Sequence, residues 1–414
     1  MKKIIALVLS SFVISCSNNQ VQNFDTVNTQ SPQEASTFNS SKNININDDE
    51  IGSSLKNSAI KINKLDIESK NKSNTNLNFK TTIIKKGKTI NSKDSQNFNI
   101  FGVISYPDDK GNLKQGANIT VSLSNDGKNI VNAVTDENGN WTASLDKSKY
   151  SGKNIAVSFQ FSNKYWMIGG KDKSYSWSID SINNLSSDID LGTISPVKGS
   201  ENAKAAFIND IYNRYLKMFK KEGINVDTWW TVQLKTVWPQ NSNYYAWKTV
   251  NLSDADHWDV NGHEIGHAMT DIGTNSSMGG GQHKIDECYT ENLAWSEGFA
   301  TFLSSVISLD KSDPDAKFEF LVPRRAPIRQ ENVPTDVCNG QKNEWRVGAT
   351  MWDIYDTHVD GDDNISVPFK TIWQSVTRKE KRIGSMKDAA DSLKAIAPEY
   401  NEALDKSLKF NTMF

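Results

Sequence analysis

The chain has 414 residues, which is room for two folded domains plus some unfolded sequence at roughly 100–200 residues per domain. Its 47 Lys and Arg against 49 Asp and Glu give a net charge of -2, so composition offers no electrostatic reason to expect a nucleic-acid partner. No internal stretch approaches the roughly 18 apolar residues that a membrane-spanning helix needs. Composition carries no signal about oligomeric state.

The N-terminus has the pattern of a secretory signal. Lys2 and Lys3 precede an apolar run over residues 4–14. The run ends in Val-Ile-Ser-Cys16, which resembles the lipobox of bacterial lipoproteins, where the Cys is acylated and the chain is cleaved just before it. The resemblance implies a signal peptide over residues 1–15 and a chain held on the cell membrane or outer membrane, outside the cytoplasm, by acylated Cys16. An ordinary cleaved signal with an accidental Cys is the alternative.

Residues 16–97 are rich in Asn, Ser, Lys and Asp, with isolated apolar residues and no sustained period. Such a segment cannot bury enough apolar surface to offset the entropy of ordering it. The sequence therefore predicts a disordered tether between the lipid and the folded part.

Residues 98–196 consist of short alternating runs separated by turn signals. The runs over residues 98–104, 119–123 and 141–145 are typical of strands, and Asn-Asp-Gly at 125–127 is typical of a turn. This pattern predicts a small antiparallel β-sandwich. The segments GANITVSL (116–123) and TDENGNWTASL (135–145) resemble the carboxypeptidase-regulatory-like, transthyretin-type accessory domains of secreted bacterial proteins.

Residues 197–414 read as a mostly helical domain with a small sheet. Apolar residues recur at helical spacing over 203–220, and Gly223 closes the run. Residues 232–237 and 247–252 are predicted strands, and residues 386–396 and 399–408 are predicted helices. The predicted fold class is therefore α+β and multidomain.

The sequence His263-Glu264-Ile265-Gly266-His267 contains the HExxH pattern. On a helix, positions i and i+4 share one face, so both imidazoles can reach one ion while Glu264 acts as general base on a water. Imidazole nitrogen suits zinc, and a catalytic zinc site needs three protein ligands. Gly262 and Gly266 are poor helix formers, which indicates close approach of a neighbouring backbone.

A candidate third ligand lies in WSEGFATF, residues 295–302. Together with HEIGH, this segment resembles gluzincin-type secreted bacterial zinc metallopeptidases, in which the Glu of such an element completes the site. The resemblance, over roughly residues 200–400, implies that Glu297 is the third ligand of Zn2+ and that the chain is an endopeptidase acting on protein or peptide. Glu291 is the reserve ligand.

One position departs from the related thermolysin and fungalysin patterns. Those families have an Asp four residues after the ligand Glu that orients a ligand His, and this chain has Thr301 there. An orienting carboxylate is therefore expected from elsewhere, or is absent.

The oxyanion of a hydrolytic transition state needs a further hydrogen-bond donor. Tyr355 and His358 are the favoured candidates, because they follow a Trp-Asp helix that resembles one in the same secreted group. His283, Tyr289 and Arg346 are the others, and His283 is alternatively an extra ligand or an exposed loop residue.

Two features remain open at this level. Cys288 and Cys338 are either a disulfide or two buried thiols. The acidic turn at residues 360–364 is either a calcium site or, as favoured, a solvated turn, because it lacks the full EF-hand spacing.

Two other functions compete with peptidase activity. The first is an inactive zinc-binding surface adhesin, against which the intact Glu264 argues. The second is a zinc amidase acting on cell-wall or glycan-linked substrates, because the β-sandwich could serve carbohydrate attachment as easily as protein docking.

Overall fold

The computed structural model describes residues 96–108, 110–170, 173–359, 361, 364–378 and 380–414, together with the backbone of three short strands nearer the N-terminus. Most of the signal peptide, most of the predicted tether and most of the acidic turn, at positions 360, 362 and 363, fall outside these residues. Two strands inside the predicted tether, Thr81–Lys85 and Thr89–Ile90, pair with Asp188–Pro196, so the prediction of disorder is wrong for them.

Within the described residues the chain forms seventeen strands and eight α-helices. The strands are β1 Ile14–Cys16, β2 Thr81–Lys85, β3 Thr89–Ile90, β4 Asn97–Pro107, β5 Leu113–Gln115, β6 Thr120–Asn125, β7 Lys128–Val134, β8 Asn140–Asp146, β9 Ala156–Gln160, β10 Trp166–Gly169, β11 Ser176–Ser178, β12 Asp188–Pro196, β13 Leu234–Val237, β14 Asn243–Ala246, β15 Thr249–Asn251, β16 Lys317–Phe318 and β17 Ile328–Arg329. The helices are α1 Lys147–Tyr150, α2 Glu201–Lys221, α3 Trp258–Gly273, α4 Glu291–Ser308, α5 Glu344–Tyr355, α6 Phe369–Val376, α7 Met386–Ile396 and α8 Asn401–Phe410. This mixed composition agrees with the predicted α+β class.

The region from β4 to β12 forms two sheets. One has the order β11-β9-β6-β7, and the other has β2-β12-β4-β5 with β3 on β12 and β8 on β4. Alternate side chains are buried, as in β8, where Trp141, Ala143 and Leu145 face the core. Strands β4 and β12 pair in parallel, which differs from the predicted all-antiparallel arrangement. The chain passes through the other sheet between them and returns in the same direction, as parallel pairs require.

The third sheet crosses the predicted domain boundary at residues 196/197. Its order is β1-β14-β15-β13-β10, and β10, from the first region, pairs in parallel with β13. On β10, Trp166 stacks on Tyr212 of α2 with ring centroids 4.8 Å apart and donates a hydrogen bond to Asn209 at 3.0 Å. The two regions therefore share one continuous core, and the boundary is not a break in packing.

The predicted strand over residues 247–252 begins two residues later than expected. Trp247 and Lys248 have positive φ, 52° and 59°, and form the tight turn between β14 and β15, where Ala246 pairs with Thr249. Left-handed turn positions usually carry Gly, Asn or Asp, so Trp and Lys gave no turn signal.

Helices α3, α4 and α5 pack closely through glycines. A Cβ added to Gly266 of α3 would lie 2.8 Å from the Ala300 carbonyl of α4, and one added to Gly298 of α4 would lie 2.7 Å from the Glu344 carbonyl of α5. The expectation that Gly266 marks close backbone approach is confirmed. None of the helices in the described part of the chain is both long and apolar enough to cross a bilayer.

Candidate metal centre

Helix α3 carries the HExxH segment, and its first turn is fixed by a buried carboxylate. Asp259 Oδ2 accepts hydrogen bonds from the backbone N–H groups of Glu319, Phe320 and Leu321 at 2.7, 2.7 and 3.2 Å. The Tyr215 hydroxyl of α2 donates to the Gly262 carbonyl at 2.9 Å. These contacts hold the helix in position between α2, α4 and the loop at 319–321.

His263, His267 and Glu297 converge. The Nε2 atoms of the two histidines are 3.1 Å apart, and they lie 3.2 Å (His263) and 3.0 Å (His267) from Glu297 Oε2. The three residues are 2%, 0% and 1% exposed. Ligand atoms that bind one tetrahedral ion at 2.0–2.1 Å are about 3.3 Å apart, so this triangle fits a small divalent ion. The group can hold a metal ion.

The protonation states favour metal binding. Burial lowers the pKa of His263 to about 4, so its imidazole is neutral at pH 7. Burial alone would raise the pKa of Glu297, but His267 and hydrogen bonds from both imidazoles outweigh it and hold that pKa well below its usual range. Neutral imidazole and ionised carboxylate are the forms that ligate metals.

Thr301 occupies the place where an orienting carboxylate was expected. Its Oγ1 lies 3.0 Å from His263 Nδ1 in a buried setting. In the form of His263 that would bind a metal ion, Nε2 offers its lone pair and Nδ1 carries the proton, which the Thr301 hydroxyl can accept. The sequence analysis expected a carboxylate in this orienting role and therefore did not propose Thr301.

Glu264 lies on α3 directly after His263 and is fully buried. In an HExxH helix this Glu directly follows the first ligand histidine, so its side chain lies beside the helical face that carries both ligands. Glu264 therefore lies on the same buried helix as the two histidines, and its role as general base stays a prediction.

A second group adjoins the first. His283, in the loop before α4, has Nε2 3.7 Å from Glu297 Oε2 and 3.2 Å from Oε2 of Glu344, the first residue of α5. The three residues offer ligand atoms within 4.8 Å of one another. Burial, reinforced by the charge of Glu297, raises the pKa of Glu344 to about 8, against the opposing effect of His283.

Sequence reasoning named His283 but missed Glu344. The two residues are 61 positions apart, and only the packing of α5 on α4 brings them together. The available local signals were a His that closes a Gly-rich loop and an acidic residue directly after a helix-capping Asn.

The loops that carry these residues are fastened together. Asn343 caps α5 and its side-chain amide donates to the carbonyls of Ile285 and Glu287 at 2.8 and 2.9 Å. Cys288 and Cys338 form a disulfide with Cα atoms 5.6 Å apart, which resolves the alternative left open by the sequence.

The favoured oxyanion candidates have no described contact with the ligand group, and their role stays a prediction. Tyr355 ends α5, eleven residues and about 16 Å of helix beyond Glu344, and its ring packs on Phe302, Trp352 and Phe369. His358 follows the helix in a half-buried position. Neither takes part in the described contacts of the His263–His267–Glu297 group.

The remaining candidates also have other partners. Arg346 donates to the carbonyls of Cys338 and Val337 at 3.0 and 3.1 Å and so holds a loop. The Tyr289 hydroxyl accepts from the Lys284 backbone N–H at 2.9 Å, although its ring packs edge-on to His283.

Two other carboxylates on these helices do not join the group. Asp271 on α3 bonds Tyr245 and Lys248 of the β14–β15 hairpin. Glu291, the reserve ligand, is the first residue of α4 and is absent from the metal-ligating groups found among the described residues.

No protein-family model matches this chain, and no curated protein matches it significantly. The fold and site thus define a mixed α/β protein with buried histidine and glutamate groups that can bind a metal ion.

Proposed function

We propose that this chain is a zinc-dependent endopeptidase, with His263, His267 and Glu297 as the metal ligands and Glu264 as the general base. The observation that carries the proposal is the buried triangle of two imidazole nitrogens and one carboxylate oxygen, 3.0–3.2 Å apart. The presence of an acid on the same helical turn supports hydrolysis over simple metal storage.

The donor set supports zinc. Two neutral imidazoles and one carboxylate are the ligands of known catalytic zinc sites, and three protein ligands leave a position open for water or substrate. When bound, zinc supplies Lewis acidity that lowers the pKa of a water toward about 7 and polarises a scissile carbonyl.

The chain's own residues would do the rest. The Glu264 carboxylate takes a proton from the water as its oxygen adds to the carbonyl carbon, and passes that proton to the nitrogen of the amide as the C–N bond breaks. Thr301 keeps the His263 ring in its ligating orientation.

We leave Tyr355 and His358 out of the proposed machinery, because no described contact joins either residue to the three ligands. His283 lies near the ligand group, with Nε2 3.7 Å from Glu297 Oε2.

The rest of the chain fits an exported enzyme. We propose that acylated Cys16 anchors it in a bilayer, and that the cleavage before Cys16 removes Ile14 and Ser15 of β1 from the third sheet. We also propose that the two sheets between β4 and β12 form an accessory β-sandwich, and that the helices around α3 form the zincin-like catalytic domain. The substrate would be protein or peptide outside the cytoplasm.

The test is cleavage of casein by the purified chain, with and without a chelator, in wild type and Glu264→Gln. We expect zinc-dependent cleavage in wild type and a loss of at least 100-fold in the variant, as for other positioned acid–base groups. Glu291→Gln, which changes a carboxylate on α4 outside the ligand group, is the matched control and should keep wild-type activity.

Two results would redirect the proposal. Bound zinc with no cleavage of any protein would favour the surface adhesin. Cleavage of cell-wall or glycan-linked amides, with casein left intact, would favour the amidase.

A further inference from the structure

His283, Glu344 and Glu297 form a second set of converging donors. We propose that this set holds a second divalent cation of the first transition row, with Glu297 shared between the two ions. The inference rests on the proposed first site through that shared carboxylate.

The hydrogen bond at the far side of the His283 ring fixes its tautomer. Nδ1 lies 2.9 Å from the Gly281 carbonyl oxygen, which can only accept, so Nδ1 carries the proton. Nε2 faces two carboxylate oxygens, at 3.2 Å (Glu344) and 3.7 Å (Glu297). A positive species, either a proton or a metal ion, must therefore lie between Nε2 and these oxygens.

The distances from His283 Nε2 to the two carboxylates fit a bound metal ion. A charge-assisted N–H···O bond is typically about 2.7–2.9 Å long, and one proton serves only one of the two oxygens well. Atoms that share an ion are about 3–4 Å apart, which matches both separations. One imidazole and two carboxylates suit zinc or manganese.

The site is built into the fold. The side chains of His283, Glu297 and Glu344 are 4%, 1% and 10% exposed, so a bound ion would be shielded from water. Asn343 and the Cys288–Cys338 disulfide fasten the loop of His283 to the start of α5. The donors are thus positioned by contacts that do not depend on the ion.

The second ion is separate from the first. The donors of the two groups share only Glu297, whose Oε2 faces all three histidines. A carboxylate shared by two ions about 3.5–4 Å apart is the arrangement of two-metal hydrolytic sites.

Metal content tests the inference independently of activity. The full chain is loaded with zinc chloride, passed through gel filtration and analysed for zinc per chain by mass spectrometry. We expect two ions in wild type, one in Glu344→Gln and one in His283→Ala. Glu287→Gln, an exposed carboxylate in the same loop that pairs with Lys284, is the matched control and should keep two.

X-ray absorption of the loaded protein is the second measurement, and it should show a metal–metal distance of about 3.5–4 Å that disappears in Glu344→Gln. One ion per chain in wild type, unchanged in both variants, would overturn the second site and leave the first intact, with a proton between His283 and the carboxylates. No bound ion in wild type would overturn the second site and the proposed function together.

Discussion

At the scale of single residues, the ligand group depends on partners that hold each ring in place. The hydroxyl of Thr301 is the described partner of His263 Nδ1, whereas His267 Nδ1 has no hydrogen-bond partner among the described residues. The orientation of the His263 ring is therefore set by a residue of α4 that lies one turn after Glu297.

We predict that Thr301→Val weakens zinc binding by about 10–100-fold, the usual effect of removing a hydrogen bond to a ligand histidine. Valine keeps the shape of threonine but cannot accept from Nδ1–H. The measurement is the zinc dissociation constant from competition with a chromophoric chelator.

Thr270→Val is the control for this prediction. Thr270 is also buried, but its hydroxyl bonds the Gly266 carbonyl within α3. Equal zinc affinities in Thr301→Val and wild type would show that the hydroxyl does not orient the ring.

Sequence reasoning reached the parts of the site that local geometry determines. The i, i+4 spacing placed His263 and His267 on one helical face. Glu297 lies 30 residues after His267, so local geometry could not identify it, and only the resemblance of WSEGFATF to metallopeptidase sequences did. Thr301 was overlooked as an orienting group because a neutral hydroxyl can replace a carboxylate there. Glu344 was missed because its distance from His283 is set by tertiary packing, which no local spacing encodes.

At the scale of elements, the loops before α4 and α5 carry the residues that extend the site. The Cys288–Cys338 disulfide joins these loops across a sequence separation of 50 residues. In the chain-entropy account, closing a loop of this length stabilises the fold by roughly 4 kcal/mol.

We therefore predict that the Cys288→Ala/Cys338→Ala variant unfolds at a clearly lower urea concentration than wild type, and that reductant lowers the wild-type midpoint in the same way. The variant itself is the control, because reductant should leave its midpoint unchanged. A wild-type midpoint that does not respond to full reduction would contradict the prediction.

The same loop is held by an ion pair with a defined pH range. Arg324 makes two hydrogen bonds to the Asp286 carboxylate and lowers its pKa from 3.8 to about 2. A lowered folded-state pKa stabilises the fold fully above the unfolded pKa, and the effect is lost as the pH falls through the folded value.

We predict that Asp286→Asn is less stable than wild type at pH 7, and that the gap closes between about pH 4 and pH 2. The measurement is the urea midpoint of both proteins across this range. Arg324→Met removes the same pair and should converge with wild type in the same interval. A gap of constant size at all pH values would show that the carboxylate charge contributes nothing.

Element prediction succeeded where periodicity or caps were strong and failed where the turn was unusual. Helix α2 and the start of α7 at Ser385 follow the sequence signals. The Trp247–Lys248 turn lacks any of the residues that favour positive φ, so the strand before it was missed. The parallel pairing of β4 with β12 depends on the path of the intervening chain, which alternation of side chains does not reveal.

At the scale of the whole molecule, the described sheets and helices pack around one continuous core of buried hydrophobic side chains, which includes residues from Phe98 to Met413. Strand β10 and Trp166 bind the first region to α2 and β13 of the second. The predicted boundary at residues 196/197 marks the change from short strands to helices, and β10 and β13 pair across it.

We predict that the chain is a lipoprotein. Wild type expressed in a bacterial host should incorporate labelled palmitate and sediment with membranes, and Cys16→Ala should lose the label and appear mostly in the soluble exported fraction. Cys288→Ala changes a cysteine outside the lipobox and should keep the label. Equal membrane association of the Cys16→Ala variant and wild type would contradict lipid anchoring.

Anomalous diffraction at the zinc absorption edge, from crystals of the zinc-loaded protein, tests whether one metal ion is bound by His263, His267 and Glu297. We predict a strong peak about 2 Å from Nε2 of both histidines and from the Glu297 carboxylate. Zinc-loaded crystals with no peak at this triangle, or with zinc bound only elsewhere, would contradict it.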